Sequence, residues 1–183
     1  MTLPLIRRAV LLVALAAPLP VSAQMQASGD TMPPPAAPAD VQSLDAIIHA
    51  TYDAISGPAG PRNWPRFYSL FLPGGYTVPT RRDSTGVHAR VGTPQHFAQL
   101  ADRYFSTHGF YEMEIGRETN TFGAVTQVFS AYASRNAPED PKPFQRGINS
   151  FQLFNDGKRW YIVSIFWDGE TPTNPIPERY LRK

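Results

Sequence analysis

The chain of 183 residues contains no cysteine. That excludes disulfides, thiolate metal sites, a cysteine nucleophile and lipid attachment through a thiol, so stability must come from a packed core. No run of Lys or Arg exceeds two residues, as in Arg81-Arg82, and no basic stripe is available for nucleic acid or an anionic membrane. The longest N-terminal apolar stretch, Ala9 to Ala17, is too short for a bilayer, which takes about 20 residues. No metal-ligand cluster, nucleophile elbow, phosphate loop or cofactor fingerprint can be read along the chain, so neither a metal nor a cofactor is expected.

What is present begins with an export signal. Arg7 and Arg8 precede the apolar stretch, Pro18 and Pro20 end it, and the small pair Ser22-Ala23 suits a signal peptidase. Residues 1–23 are therefore expected to be cleaved, leaving a periplasmic or secreted protein without a membrane anchor. The full chain has 17 basic and 15 acidic residues, and the removed segment holds two arginines and no acid, so the mature chain balances at 15 against 15.

Residues 24–39 have four prolines and no hydrophobic period, which predicts a flexible linker. From Asp40, a good N-cap, Val41, Leu44, Ile47, Ile48 and Ile55 recur at helical spacing up to Gly57-Pro58. Asn63 and Pro65 open a second helix with Phe67, Leu70 and Phe71 inward, stopping at Pro73-Gly74-Gly75. Extended pieces at 76–80 and 87–91 flank a polar hairpin loop. Thr93-Pro94 then starts a third helix with Phe97, Leu100, Ala101, Tyr104 and Phe105 on one side.

After Gly109 the period changes to two, and strands are predicted at 110–117, 123–135, 147–155 and 159–168, the last two joined through Asn155-Asp156-Gly157-Lys158. The tail, 171–183, carries Pro172, Pro175 and Pro177 and reads as an extended strap pinned by Ile176, Tyr180 and Leu181. The order predicts an α+β domain over 40–170, with three N-terminal helices on a strongly curved, mainly antiparallel sheet. In the last strand Tyr161, Val163, Ile165 and Trp167 should share one face, and Trp160, Ile162 and Phe166 the other. Two apolar faces need two covers, so a homodimer is expected.

This order, with Trp160-Tyr161-Ile162-Val163 in the strand-rich C-terminal half, resembles the nuclear transport factor 2-like superfamily, whose relatives include ketosteroid isomerase and SnoaL-like polyketide cyclases. Within it the chain is similar to exported bacterial proteins of unassigned chemistry. The stretches that carry this are Ala54-Ile55-Ser56-Gly57-Pro58-Ala59-Gly60, Gly109-Phe110-Tyr111-Glu112, Arg146-Gly147-Ile148-Asn149-Ser150 and Pro175-Ile176-Pro177. The resemblance implies a cone-shaped half-barrel with a pocket between helices and concave sheet, often in dimers. No isomerase triad aligns residue by residue, and fold alone does not assign a reaction.

Glu112 and Glu114, two apart on a strand, share one face with carboxylates ~7 Å apart. They can act as acid and base, or stand as solvated charges beside Arg117 or Arg135. Tyr132 is the candidate hydrogen-bond donor to an oxyanion. Ser130, Tyr132, Asn149, Ser150, Gln152 and Ser164 are polar groups in apolar strands, where burial without a partner is costly. Strand parity separates Asn149 from Ser150 and Gln152. Tyr52, Trp64, Phe67, Ser130, Gln152 and Ser164 are the candidate pocket lining, and Trp64, Phe67 and Tyr68 serve core packing equally well. Asp45, His49 and Asp53 lie along one side of the first helix, either as a polar face or as part of a cation site. Two functions fit. One is a non-catalytic domain holding a small apolar or amphipathic ligand. The other is a cofactor-free isomerase, dehydratase or cyclase using a pocket glutamate as base.

Overall fold

A computed structural model describes residues 34–182. The expected signal peptide and most of the linker lie outside them. Helix α1 (Pro38–Val41) is a single turn, followed by α2 (Leu44–Ile55) and α3 (Trp64–Ser69). Strands β1 (Phe71–Asp83) and β2 (Gly86–Ala89) precede α4 (Pro94–Phe105). Strands β3 (Tyr111–Phe122), β4 (Val125–Arg135), β5 (Gln145–Asn155) and β6 (Trp160–Gly169) complete a sheet ordered β2-β1-β6-β5-β4-β3. All neighbours are antiparallel except β1 and β6.

The predicted first helix is thus two pieces. Ser43 caps α2 by accepting the Ala46 N–H at 3.1 Å, while the carboxylate of Asp40 accepts two bonds from Arg66 at 2.8 and 2.9 Å. Asn63 and Thr93 cap α3 and α4 as their sequences predict. Helix α3 ends earlier than expected because the Leu70 carbonyl accepts the Ile162 N–H at 2.9 Å, which draws Phe71 into β1. Within β1, Gly74 has φ +81° and Gly75 has no room for a Cβ, and between Phe71 and Tyr76 the pairing with β6 shifts register.

Helices α2, α3 and α4 cover the concave face. The core between them holds Ile47, Ile48, Phe67, Leu70, Val128, Phe151 and Ile162, each no more than 2% exposed. The strand alternation expected in β6 is broken. Gln152 pairs with Ser164 and Leu153 with Ile162, so Val163 is an extra residue. Ile162 therefore turns inward together with Ile165 and Trp167, while Phe166 stays 46% exposed on the outside.

The tail leaves β6, buries Ile176 and forms a 3₁₀ turn at Glu178–Leu181. Tyr180 stacks on Phe129 of β4 at 5.3 Å, and the Arg182 carbonyl accepts the Arg117 N–H at the free edge of β3. Gly116 lies beneath it, where a Cβ would stand 2.5 Å from the Tyr180 carbonyl.

The stretch Ala54–Gly60 wraps around a buried guanidinium. Arg62 donates to the carbonyls of Ile55, Gly57, Pro58 and Gly60 at 2.7–2.9 Å and lies over the Phe105 ring. Gly57 in turn bridges Phe110, which fixes the start of β3 against the end of α2.

Candidate functional site

The cone encloses a cavity of about 290 Å³. Its wall is mostly aromatic: Phe67 from α3, Phe97 and Phe105 from α4, Phe110 before β3, Phe151 from β5 and Trp167 from β6. At one end, paired positions of β3, β4 and β5 bring Glu112, Ser134, Tyr132 and Asn149 together.

Glu112 is half-buried, and each of its oxygens accepts one bond: Oε2 from the Ser134 hydroxyl at 2.8 Å, Oε1 from the Asn149 amide at 3.3 Å. Loss of bulk water lifts the carboxyl from its ordinary 4.5 to about 7, against the lowering effect of those two bonds. Its backbone N–H donates to Ser56 Oγ, whose own proton goes to the Tyr52 carbonyl, so the end of α2 sets the height of Glu112 in the cone.

Behind it runs a chain whose direction is determined. Ser130 Oγ donates its single proton to Glu114 Oε1 at 2.7 Å. It must then accept from the Tyr52 hydroxyl at 2.6 Å, and Tyr52 accepts from the Asn149 amide at 3.1 Å. Glu114 is also held by Arg117 at 2.7 Å, and Arg117 bonds Asp45 at 2.8 Å. An extra residue in β3 between Glu114 and Gly116 puts Arg117 on the same face as Glu114. Burial, reinforced by the Glu112 carboxylate, raises the Tyr52 hydroxyl far above its ordinary value.

Tyr132 is buried, and among the described residues its hydroxyl makes no hydrogen bond; burial, then Glu112 and Asp168, raise its pKa. Its ring lies across Gly147, where a Cβ would stand 2.5 Å from the Tyr132 oxygen and 2.3 Å from the Asp168 carbonyl. The stretch Arg146–Ser150 thus supplies two parts of the site: space for Tyr132 at Gly147 and a donor at Asn149.

Glu112 and Glu114 share a face as predicted, but only Glu112 reaches the inner cavity. Of the predicted lining, Tyr52 and Phe67 border it. Ser130, fully buried, stands one layer behind Tyr52. Trp64 also lies behind the wall, stacked on Phe105 at 6.1 Å with its N–H donated to Asp102. Gln152 and Ser164 are a correction: they pair with each other on the outer face, because β5 turns Asn149, Phe151 and Leu153 inward. Ser134, Gln145 and the α4 aromatics were not anticipated as lining. For Ser134 and Gln145 the sequence signal is a strand parity that becomes readable once one inward residue of the sheet is known, and for the α4 aromatics it is the shared side that their helical spacing gives them.

The stripe Asp45, His49 and Asp53 lines a separate cavity of about 540 Å³ between α2 and β3. Among the described residues no group of His, Asp and Glu is arranged to hold a metal ion. His108 stacks on Tyr104 at 4.4 Å at the end of α4.

No family model matches the chain, and no curated protein is similar to it. Solved structures are. A cystatin-like-fold protein of unknown function from Nostoc punctiforme superposes with TM-score 0.54 at 9% identity, over 72% of this chain and 91% of that one. An uncharacterised cystatin-like-fold protein from Caulobacter vibrioides gives 0.52 at 13%, over 72% and 90%. An NTF-2 like protein of unknown function from Silicibacter pomeroyi gives 0.49 at 11%, over 70% and 94%. At such identities the likeness speaks for the fold alone. The chain shares the cystatin-like fold of the Nostoc and Caulobacter proteins, the α+β architecture with a curved sheet that its sequence predicts.

Proposed function

We propose that the domain binds a small, largely apolar molecule carrying one polar group, with that group seated between Glu112 and Tyr132. The carrying observation is the asymmetry of the inner cavity, an aromatic wall closed at one end by a carboxyl raised to about 7 and a phenol with a free hydroxyl. A neutral carboxyl both donates and accepts, so Glu112 suits a phenol, a carbonyl or an alcohol. The test is a titration with substituted phenols followed by fluorescence of Trp167, which borders the cavity. Saturable one-to-one binding is expected, weakening above pH 7 as Glu112 ionises and lost in Ala101→Trp, which fills the space. Binding that survives Ala101→Trp would overturn the assignment.

The same pair supports a second reading, proton abstraction next to a carbonyl by ionised Glu112 with Tyr132 as donor to the oxyanion. Deuterium uptake at the α-carbon of small cyclic ketones in D₂O, abolished in Glu112→Gln, would establish it. Uptake unchanged in that variant would remove it.

We also propose that the protein acts in the periplasm or outside the cell, following the N-terminal export pattern, and pairs with a second copy through the outer sheet face near Tyr76 and Phe166, both at least 40% exposed. Cell fractionation and light scattering on the mature chain test the two statements separately.

A further inference from the structure

The Asp45, His49 and Asp53 stripe plays no part in the inner cavity, yet it is not simply a solvated helix face. It forms one wall of the outer cavity, opposite Glu114, Arg117 and Arg135. The two cavities share two wall residues, Tyr52 and Glu112. The Tyr52 hydroxyl is already committed, accepting from Asn149 and donating to Ser130. Glu112 is not: each carboxylate oxygen takes one bond and has capacity for another.

The two cavities differ in what they can hold. Aromatic rings line the inner one, and an apolar ligand there would displace whatever water reached Glu112 from that side. Charged side chains line the outer one, with Asp45, His49 and Asp53 all exposed at its rim, so it stays hydrated. Its fixed charges are largely compensated: Arg117 by Asp45 and Glu114, and Asp53 by Arg66. Arg135 donates to the Asp140 carbonyl. On the inner side the ionisable groups facing Glu112 are the phenols of Tyr52 and Tyr132.

We propose that the cavity between α2 and β3 is a water and proton port for Glu112, through which the carboxyl exchanges its proton with bulk solvent while a ligand fills the inner cavity. This rests on Glu112 being the polar end of the ligand site. In the step itself the Glu112 O–H bond breaks, the proton passes to a water of the outer cavity and on to bulk or to His49 at the rim, and the carboxylate remains. Re-protonation reverses the path. A site that binds or reacts through one titrating carboxyl can then reset its charge without releasing its ligand.

The cysteine-free sequence permits a direct test. His49→Cys and Met113→Cys place single thiols on the outer cavity, and Ala101→Cys places one on the inner cavity. Each is labelled with benzyl or methyl methanethiosulfonate, and the Glu112 carboxyl is titrated by ¹³C NMR. A benzyl group at 49 or 113 is expected to raise the midpoint by about one pH unit through lost hydration. The methyl adduct and the unlabelled variants should leave it in place, and benzyl at 101 should move it far less. Equal shifts from the inner and outer adducts, or none from either outer adduct, would overturn the port while leaving the ligand site intact. A parent midpoint near 4.5 would overturn both.

Discussion

Replacing Glu112 with Gln should make the protein more stable above neutral pH, and the size of the gain follows from the site. In the unfolded chain the carboxyl titrates at its ordinary 4.5, and in the folded chain at about 7. Between those values the folded state binds the extra proton, so stability falls as pH rises through that window. At about 1.4 kcal/mol per pH unit, ionised Glu112 costs the fold about 3 kcal/mol above pH 7, an upper figure because water in the adjoining cavities screens part of it. Below pH 4.5 the group is neutral in both states and the cost vanishes. Gln keeps the shape and can still accept from Ser134 or Asn149. Urea denaturation of both proteins from pH 4 to 9 should therefore give a stability difference near zero at acid pH. It should climb between pH 4.5 and 7 in favour of Gln and level off above. A pH-independent difference, or a Gln variant that loses ground as pH rises, would mean that Glu112 is an ionised, well-solvated carboxylate, and the reasoning would fail.

Three further outcomes can be checked on the same footing. Gly147→Ala should cost about 2–3 kcal/mol in urea denaturation, since the new methyl meets the rigid Asp168 carbonyl and the Tyr132 hydroxyl at under 2.6 Å; Ala tolerated without loss would mean that Tyr132 does not lie over that glycine. Arg62→Lys should cost about 3 kcal/mol, because one ammonium cannot reach four carbonyls spread along a loop or cover the Phe105 ring as a planar guanidinium does. Tyr52→Phe should cost about 1–2 kcal/mol, measured by thermal or urea unfolding, by leaving buried Ser130 without its donor and Asn149 with one acceptor fewer.

Local signals carried the elements well wherever a side chain bonds its own neighbourhood. Asn63 and Thr93 cap their helices through bonds spanning three residues, and Asn155-Asp156-Gly157 turns through its own side chains, so nothing distant can override them. Asp40 did not follow its local preference because Arg66, 26 residues away, offered two charge-assisted bonds. The end of α3 moved for a similar reason, a carbonyl claimed by β6.

The sequence by itself determined the fold class, the caps of α3 and α4, the hairpin between β5 and β6, and the placement of Glu112 and Glu114 on one face of a strand. All of these depend on residues within a turn or two of one another. Only the tertiary structure decided which glutamate meets the ligand cavity, that Asn149 rather than Gln152 faces it, and that Ile162 joins Ile165 inside. The last of these turns on an extra residue in β6, as the placing of Arg117 beside Glu114 turns on one in β3, and each inverts the alternation of every side chain beyond it. Such a residue is dictated by pairing with a neighbouring strand, and no periodicity within a single strand announces it.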